Sequence, residues 1–301
     1  MGKLTVSLDF EIGWGAVESE RWKLREQKGV YRDLRPILRE MIAQLDDYGI
    51  SLTWATVGAM VSEPTPEDFD HLPEKYRKML QEFLSKAEQS TRDGRDLIGM
   101  LLSMKTLQDI GSHSYSHTRF HIPSYSEKAK LIDLKKGVQA LRNLGIEPQS
   151  FVYPVNQVEN VDLLEKAGLS IVRLPPQRAE STTVQKIAHS LFSSPPTACR
   201  ESLSERFETE TGSMLYNWRN KKDFGLRRYL TLYQIRKGFS TIKKSDHHLH
   251  LWFHPFNLAE IYGLKEFFFE ILKDAAKLRD TGHIDIVPMA PLSANKNMTL
   301  L

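Results

Sequence analysis

Strand-like and helical segments alternate along the chain and predict an α/β fold built on a parallel sheet. Two observations carry that prediction. Short apolar runs recur between amphipathic stretches, the pattern of repeated βαβ units. The chemically distinctive residues Asp9, His113, Pro154 and His254 each stand where a strand-like run ends, which is where a (β/α) barrel places its functional groups.

The elements follow in order. Leu4 to Asp9 alternates apolar residues into an acidic end and reads as the first strand. Arg32 to Tyr48 places Leu34, Ile37, Leu38, Met41, Ile42 and Leu45 at helical spacing and stops at Gly49. Ser51 to Val57 is the second strand, and Glu74 to Gln89 a helix with Leu80, Phe83 and Leu84 on one face. Asp109 to His113 is a short strand, and Gly111 is expected to permit a tight turn there. Ser126 caps a helix that runs to Leu144 and ends at Gly145. Strands at Gln149 to Tyr153 and Leu169 to Arg173 flank a short helix over Val161 to Ala167. Strands at His248 to Phe253 and Ile284 to Val287 flank a helix over Leu264 to Leu278.

At 301 residues with 41% hydrophobic content, the chain can form one large domain over residues 1–301. The proline-punctuated stretch at about 174–247 reads as an insertion, marked by Pro175-Pro176 and Pro195-Pro196. Within it, Trp218 to Lys244 holds nine Lys or Arg against one acid, with aromatic residues interleaved. That reads as a solvated insertion or helical pair, or as a surface for anionic lipid or a lipid-linked sugar phosphate.

A net charge of +3 is small for this length, so nucleic acid is not an expected partner. The single cysteine, Cys199, excludes an internal disulfide framework, suits a reducing compartment and reads as buried or incidental rather than nucleophilic. No apolar segment approaches the ~20 residues of a membrane span. No leader-like apolar region precedes the first strand, and Val6 stands where a myristoylation signal wants Ser or Thr. The expected location is cytoplasmic, extending to the inner face of the membrane. Asn297-Met298-Thr299 is a glycosylation sequon by pattern only.

His113-Ser114-Tyr115-Ser116-His117 is the strongest local signal. Two imidazoles four residues apart share a face if the segment turns helically, and together they can hold a divalent ion. Such an ion wants a carboxylate third ligand and an open position. Asp9 and Glu11 offer carboxylates on one side of a strand, and spacing alone leaves open which of them is the ligand. His254 supplies a titratable proton donor. Together these groups make a hydrolytic site.

Asp9-Phe10-Glu11, His113-Ser114-Tyr115-Ser116-His117, Phe151-Val152-Tyr153-Pro154 and Leu251-Trp252-Phe253-His254 resemble the ordered motifs of the polysaccharide deacetylase family, the NodB-homology, carbohydrate esterase 4 type. The resemblance implies a distorted (β/α) barrel of about seven strands. It implies one divalent ion, zinc by its donors, held by Glu11, His113 and His117, with Asp9 as general base and His254 as general acid. The activity it implies is removal of acetyl from an N-acetylated glycan or its lipid-linked or nucleotide-linked precursor, by attack of a metal-activated water. Other readings compatible with the same residues are a deformylase, a metal-free amidohydrolase relative, or a sugar-binding protein without turnover. The third motif is incomplete: Val152 stands where the family has arginine and Val155 where it has tyrosine. Arg173, at the end of the next strand, is the expected replacement. Tyr153 and Pro154 match what remains of the motif, and the Val155 N–H after the proline is expected to help hold an oxyanion. Trp14 and Trp252 flank the site in sequence and are read as lining a sugar pocket, with a core role equally open for Trp252.

Overall fold

The computed structural model describes residues 1–176, 197–218 and 224–292. The chain starts with β1 (Gly2–Phe10), α1 (Arg21–Gln27) and α2 (Val30–Tyr48). β2 (Thr53–Thr56) precedes α3 (Glu74–Lys86), α4 (Gln89–Arg92) and α5 (Arg95–Leu102). β3 (Asp109–Ser112) leads to α6 (Glu127–Arg142), and β4 (Ser150–Val152) leads to α7 (Asp162–Lys166). β5 (Ile171–Leu174), β6 (Arg200–Ser202), β7 (Glu208–Thr211), β8 (Met214–Leu215) and α8 (Phe224–Lys244) follow. The last elements are β9 (His248–Phe253), α9 (Asn257–Glu260), α10 (Leu264–Asp280) and β10 (Ile284–Ile286).

The sheet curls on itself. β1 to β5 pair side by side in parallel, and β9 pairs in parallel with the other edge of β1. Only Gly212 and Ser213 separate β7 from β8. β7 pairs with β5 and β8 with β9, both in parallel. The handover shows in two hydrogen bonds, Gly212 N–H to Leu174 O at 2.8 Å and Ser213 N–H to His250 O at 2.9 Å. The run from Glu208 to Leu215 therefore joins the two edges and closes a ring: β1, β2, β3, β4, β5, β7–β8 and β9. This is a distorted (β/α) barrel of seven strands. β6 adds antiparallel to β7, and β10 pairs with the start of β1.

Residues 208–215 thus belong to the barrel, although the sequence places them in an insertion. α8 packs outside it, burying Ile235, Phe239 and Ile242 in the main core. Pro195-Pro196, the cations Arg219, Lys221 and Lys222, and the Asn297 sequon lie outside the described residues. Cys199 is exposed and free, not buried.

β1 explains the layering. Leu4, Val6, Leu8 and Phe10 join the outer apolar core shared with α2, α8 and α10. Thr5, Ser7 and Asp9 alternate with them and face inward. Ser7 Oγ accepts a hydrogen bond from Arg173 on β5, a strand that does not neighbour β1, so the contact crosses the barrel interior. The interior is polar at several levels. Near the starts of the strands, buried Asp109 accepts hydrogen bonds from Thr53 Oγ1 (2.8 Å), Ser150 Oγ (2.9 Å) and Ala290 N (3.1 Å). Burial pushes its carboxyl up to about 6 despite these donors.

Gly111 lies within β3, not at a turn. A Cβ there would sit 2.0 Å from Ser150 Oγ and 2.6 Å from the Ser150 carbonyl oxygen. Its role is the close approach of β4. Gly111→Ala is expected to destabilise the fold by ~1–3 kcal/mol, the range for overpacking. A urea titration should show a lower midpoint at an unchanged slope, and an unchanged midpoint would remove this reading.

Candidate active site

The site lies at the carboxyl ends of β1, β3, β4, β5 and β9. Glu11 leaves β1 and His113 leaves β3 at once, and His254 follows β9 directly. Glu11 Oε2 lies 3.3 Å from His113 Nε2 and 2.9 Å from His117 Nε2. All three side chains are buried, and their ligand atoms lie within 4.8 Å of one another. Asp9 keeps different company. Arg173 Nη1 is 2.7 Å from its Oδ1 and Nη2 is 3.1 Å from its Oδ2, with both side chains buried. His254 Nε2 reaches both carboxylates, 3.7 Å from Asp9 Oδ2 and 3.6 Å from Glu11 Oε1. Its side chain keeps 27% of its surface exposed and marks the mouth of the site.

The His113–His117 segment does not turn helically. Ser114 and His117 both adopt left-handed backbone (φ 62°), and this brings the two rings to a centroid distance of 5.1 Å. Of the seven non-glycine residues with positive φ among the described residues, five lie in the loops that hold the site: Ile12, Ser114, His117, Val155 and Asn156. Such conformations cost energy and persist only where the surroundings over-determine them. Here they do. Asp133 on α6 accepts from Tyr115 N (3.1 Å), Ser116 N (3.3 Å) and Ser116 Oγ (2.7 Å), and lies 3.0 Å from His71 Nε2. Ser114 Oγ accepts from Thr118 N at 3.1 Å, and Tyr76 OH donates to Ser116 O at 2.9 Å.

Electrostatics hold both carboxylates ionised. Burial alone would raise the Asp9 carboxyl, but Arg173, then His254 and His113, outweigh it and lower it. Burial is likewise overcome at Glu11 by His254 and His117, which hold it well below the usual range.

A polysaccharide deacetylase-assigned protein of Mycobacterium smegmatis is similar in structure, with a TM-score of 0.53 at 13% identity, over 97% of this chain and 94% of that one. The chain has a NodB-like deacetylase fold. Structural similarity extends beyond that protein. A GH57-type branching enzyme of Pyrococcus horikoshii matches at TM-score 0.53 and 11% identity, over 96% of this chain and 69% of that one. An α-amylase of Thermotoga maritima matches at TM-score 0.53 and 10% identity, over 95% and 73%. No family model and no curated protein matches the sequence.

The residues present fit the divalent ion that a NodB-like deacetylase fold implies. His113 Nδ1 lies 2.7 Å from the Val152 carbonyl, so it donates there and leaves the Nε2 lone pair free for a metal. One carboxylate and two imidazoles make a three-ligand set with room for water.

Arg173 occupies the place beside Asp9, and its Nη2 also donates to Asn156 Oδ1 at 2.9 Å. Pro154 opens the turn Pro154–Asn156, and Val155 stands exposed in it with φ 52°. Trp14, expected in a sugar pocket, and Tyr153, expected from the third motif, both turn into apolar surroundings. Trp14 is buried against Phe69 and Phe83 and donates its Nε1–H to Arg92 O (2.8 Å), because its loop folds back onto the α3 side. Tyr153 points into a second apolar cluster with Phe120 and Phe151, its hydroxyl on Glu159 O (2.9 Å). Trp252 is nearly buried, its ring 4.5 Å from the Arg173 guanidinium carbon, which leaves it a packing role. Asn156 carries a contact that the sequence reading did not assign. His250, at even spacing with His254 and read from the sequence as a packing residue, carries polar contacts to Ser7 and Glu210.

Purified protein is expected to carry about one divalent ion per chain, since ligand sets of this type bind tightly. Elemental analysis should show much lower occupancy in His113→Ala and His117→Ala. Equal metal in the wild type and the double variant would remove these ligands.

Proposed function

We propose that the protein is a metal-dependent deacetylase that hydrolyses the N-acetyl amide of an amino sugar in a glycan or glycan precursor. The observation that carries this reading is the different company kept by two carboxylates only two residues apart. Glu11 lies between imidazoles and Asp9 lies on a guanidinium, while His254 faces both. Amide hydrolysis needs an electrophilic centre, a base and an acid, and this arrangement provides a group for each.

Glu11, His113 and His117 are the residues that would hold the ion. When bound, a divalent ion such as zinc supplies Lewis-acid polarisation of the acyl carbonyl and makes a water acidic near neutral pH. Asp9, ionised and held by Arg173, takes the proton of the attacking water. The N–H of Val155, in the turn that Pro154 opens, donates to the oxyanion of the tetrahedral adduct. His254, at the mouth, gives its proton to the departing amine.

The similar branching enzyme and α-amylase raise a rival chemistry, two-carboxylate glycoside hydrolysis. That reaction needs one carboxyl to stay protonated as the acid. Asp9 is paired with Arg173 and Glu11 lies between His113 and His117, surroundings that favour an ionised carboxylate over a protonated acid. Amide hydrolysis with a histidine acid avoids that conflict.

The substrate class is a lipid-linked or nucleotide-linked N-acetyl sugar, handled at the inner face of the membrane. The single free cysteine suits a reducing compartment. On α8, Tyr229, Tyr233, Arg236 and Lys244 share the face opposite the buried Ile235, Phe239 and Ile242. A basic face with aromatic rings suits an anionic lipid surface.

Asp9→Asn should keep the metal and lose ~10²–10⁴-fold in turnover, the usual worth of general-base catalysis. Glu11→Gln should instead lower metal content. The opposite pattern would exchange the two roles. Acetate release from N-acetylglucosamine in its free, UDP-linked and lipid-linked forms is the primary assay. Formate release from N-formyl analogues alone would make it a deformylase, and turnover of neither set would end the reading.

Arg236→Glu with Lys244→Glu is expected to weaken binding to phosphatidylserine vesicles at low salt, where exposed charges are least screened. Wild type with no vesicle affinity at low salt would favour the soluble precursor.

A further inference from the structure

We propose that Ser7, His250 and Glu210 are positioning residues, a proton-ordered chain across the barrel interior that fixes Arg173 and thereby aims Asp9. This rests on the reading of Asp9 as general base. The four strands involved are β1 (Ser7), β5 (Arg173), β7 (Glu210) and β9 (His250), and all four side chains are buried.

Donor chemistry sets the order. A guanidinium only donates. Arg173 Nη1 lies 2.8 Å from Ser7 Oγ, so the serine oxygen accepts. The one serine proton is then available to His250 Nε2, 2.7 Å away. With that proton donated, the nitrogen carries a lone pair and the neutral ring holds its proton on Nδ1. Nδ1 lies 2.7 Å from Glu210 Oε1, out of line for a straight hydrogen bond but close enough that the carboxylate repels a lone pair there and attracts an N–H. The chain ends on a charged carboxylate. Burial would raise Glu210, but His250, His248 and Arg200 bring it down to about 2. Burial also lowers His250, which keeps the ring neutral.

The opposite tautomer is disfavoured at the far end of the chain. A bare Nδ1 would set its lone pair against the Glu210 carboxylate, and an Nε2–H would place a second donor on Ser7 Oγ, whose own proton would then have to leave the chain. Ser7 would be oriented less firmly for Arg173, whose Nη2 also has to hold Asp9 and Asn156. The chain also links the strand that closes the barrel to the base at its mouth. A base aimed wrongly by ~1 Å can cost ~10²-fold in rate, so the outer members of the chain matter although they touch no substrate.

The test compares His250→Gln with His250→Phe in the zinc-loaded protein. Gln can place a carbonyl oxygen where Nε2 stands and accept from Ser7, whereas Phe fills the space without an acceptor. With UDP-N-acetylglucosamine as probe, Phe is expected to lower kcat by ~10–100-fold at little changed KM and metal content, and Gln to restore most of it. A pure packing role predicts the reverse ranking, because the phenyl ring keeps the shape and volume of the imidazole better than the amide does; Phe equal to or better than Gln would overturn the proposal. Two readouts do not need turnover. Nitrogen NMR of the wild type should show His250 as the Nδ1–H tautomer at neutral pH. The Arg173 Nη protons should exchange slowly in wild type and Gln, and fast in Phe. An Nε2–H ring, or Arg173 protons equally protected in Phe, would refute the chain. A wild type inactive on the probe but carrying both signatures would sink the deacetylase reading and leave the chain standing.

Discussion

A carboxylate stays ionised inside a protein only where a cation or hydrogen-bond donors compensate its burial, and the Arg173 guanidinium brings both to Asp9 inside this barrel. Burial disfavours the charged form of Asp9, so without the guanidinium the residue would drift towards neutrality. Removing one partner of such a buried pair typically costs ~3–5 kcal/mol, because the other is left uncompensated. The guanidinium also has to be satisfied, and its donors go to Asp9, Ser7 and Asn156. The inner faces of the strands are polar for this reason. Ser7, His250 and Glu210 complete one network, and Thr53, Asp109 and Ser150 complete a second near the strand starts.

Apolar burial is displaced to the outside of the sheet. The main core lies between the strands and the helices, with Leu4, Val6, Leu8 and Phe10 of β1 packed beside Leu34, Leu38 and Met41 of α2. That rigid outer layer supports loops in unfavourable backbone. β-branched Ile12 and Val155 with positive φ are true outliers, and both sit beside the site. On the histidine loop, Asp133 gathers two backbone N–H groups, a hydroxyl and His71 onto one buried carboxylate. Gly137 of α6 lets that helix approach closely, since a Cβ there would sit 2.8 Å from the Ser114 carbonyl carbon.

The elements with strong periodicity were legible to within a few residues. β1, α2, α6, β9 and α10 all have a clean apolar face, and the Ser126 cap is present, its Oγ accepting from Ala129 N at 3.2 Å. The closing strand was not legible. Glu208-Thr209-Glu210-Thr211-Gly212-Ser213 has no apolar run, because its inward residues answer polar partners instead of packing in oil. Trp14 and Tyr153 were misjudged for a related reason. Proximity in sequence to a site residue says nothing about the side to which the chain turns, and both rings turn into apolar clusters.

By itself the sequence determined the α/β alternation, the ends of the strands at which Asp9, His113 and His254 stand, and a set of residues with metal-ligating and proton-transferring chemistry. These depend on local pattern and on residue type, which need no partner to be read. Only the tertiary structure decided which carboxylate faces the imidazoles, which strand closes the ring, and what surrounds Arg173. Glu11 and Asp9 are two residues apart and chemically alike. Their difference comes from β5, 164 residues from Asp9, which brings it a guanidinium, and from the loop after β3, which brings two imidazoles to Glu11 from 102 residues away and beyond.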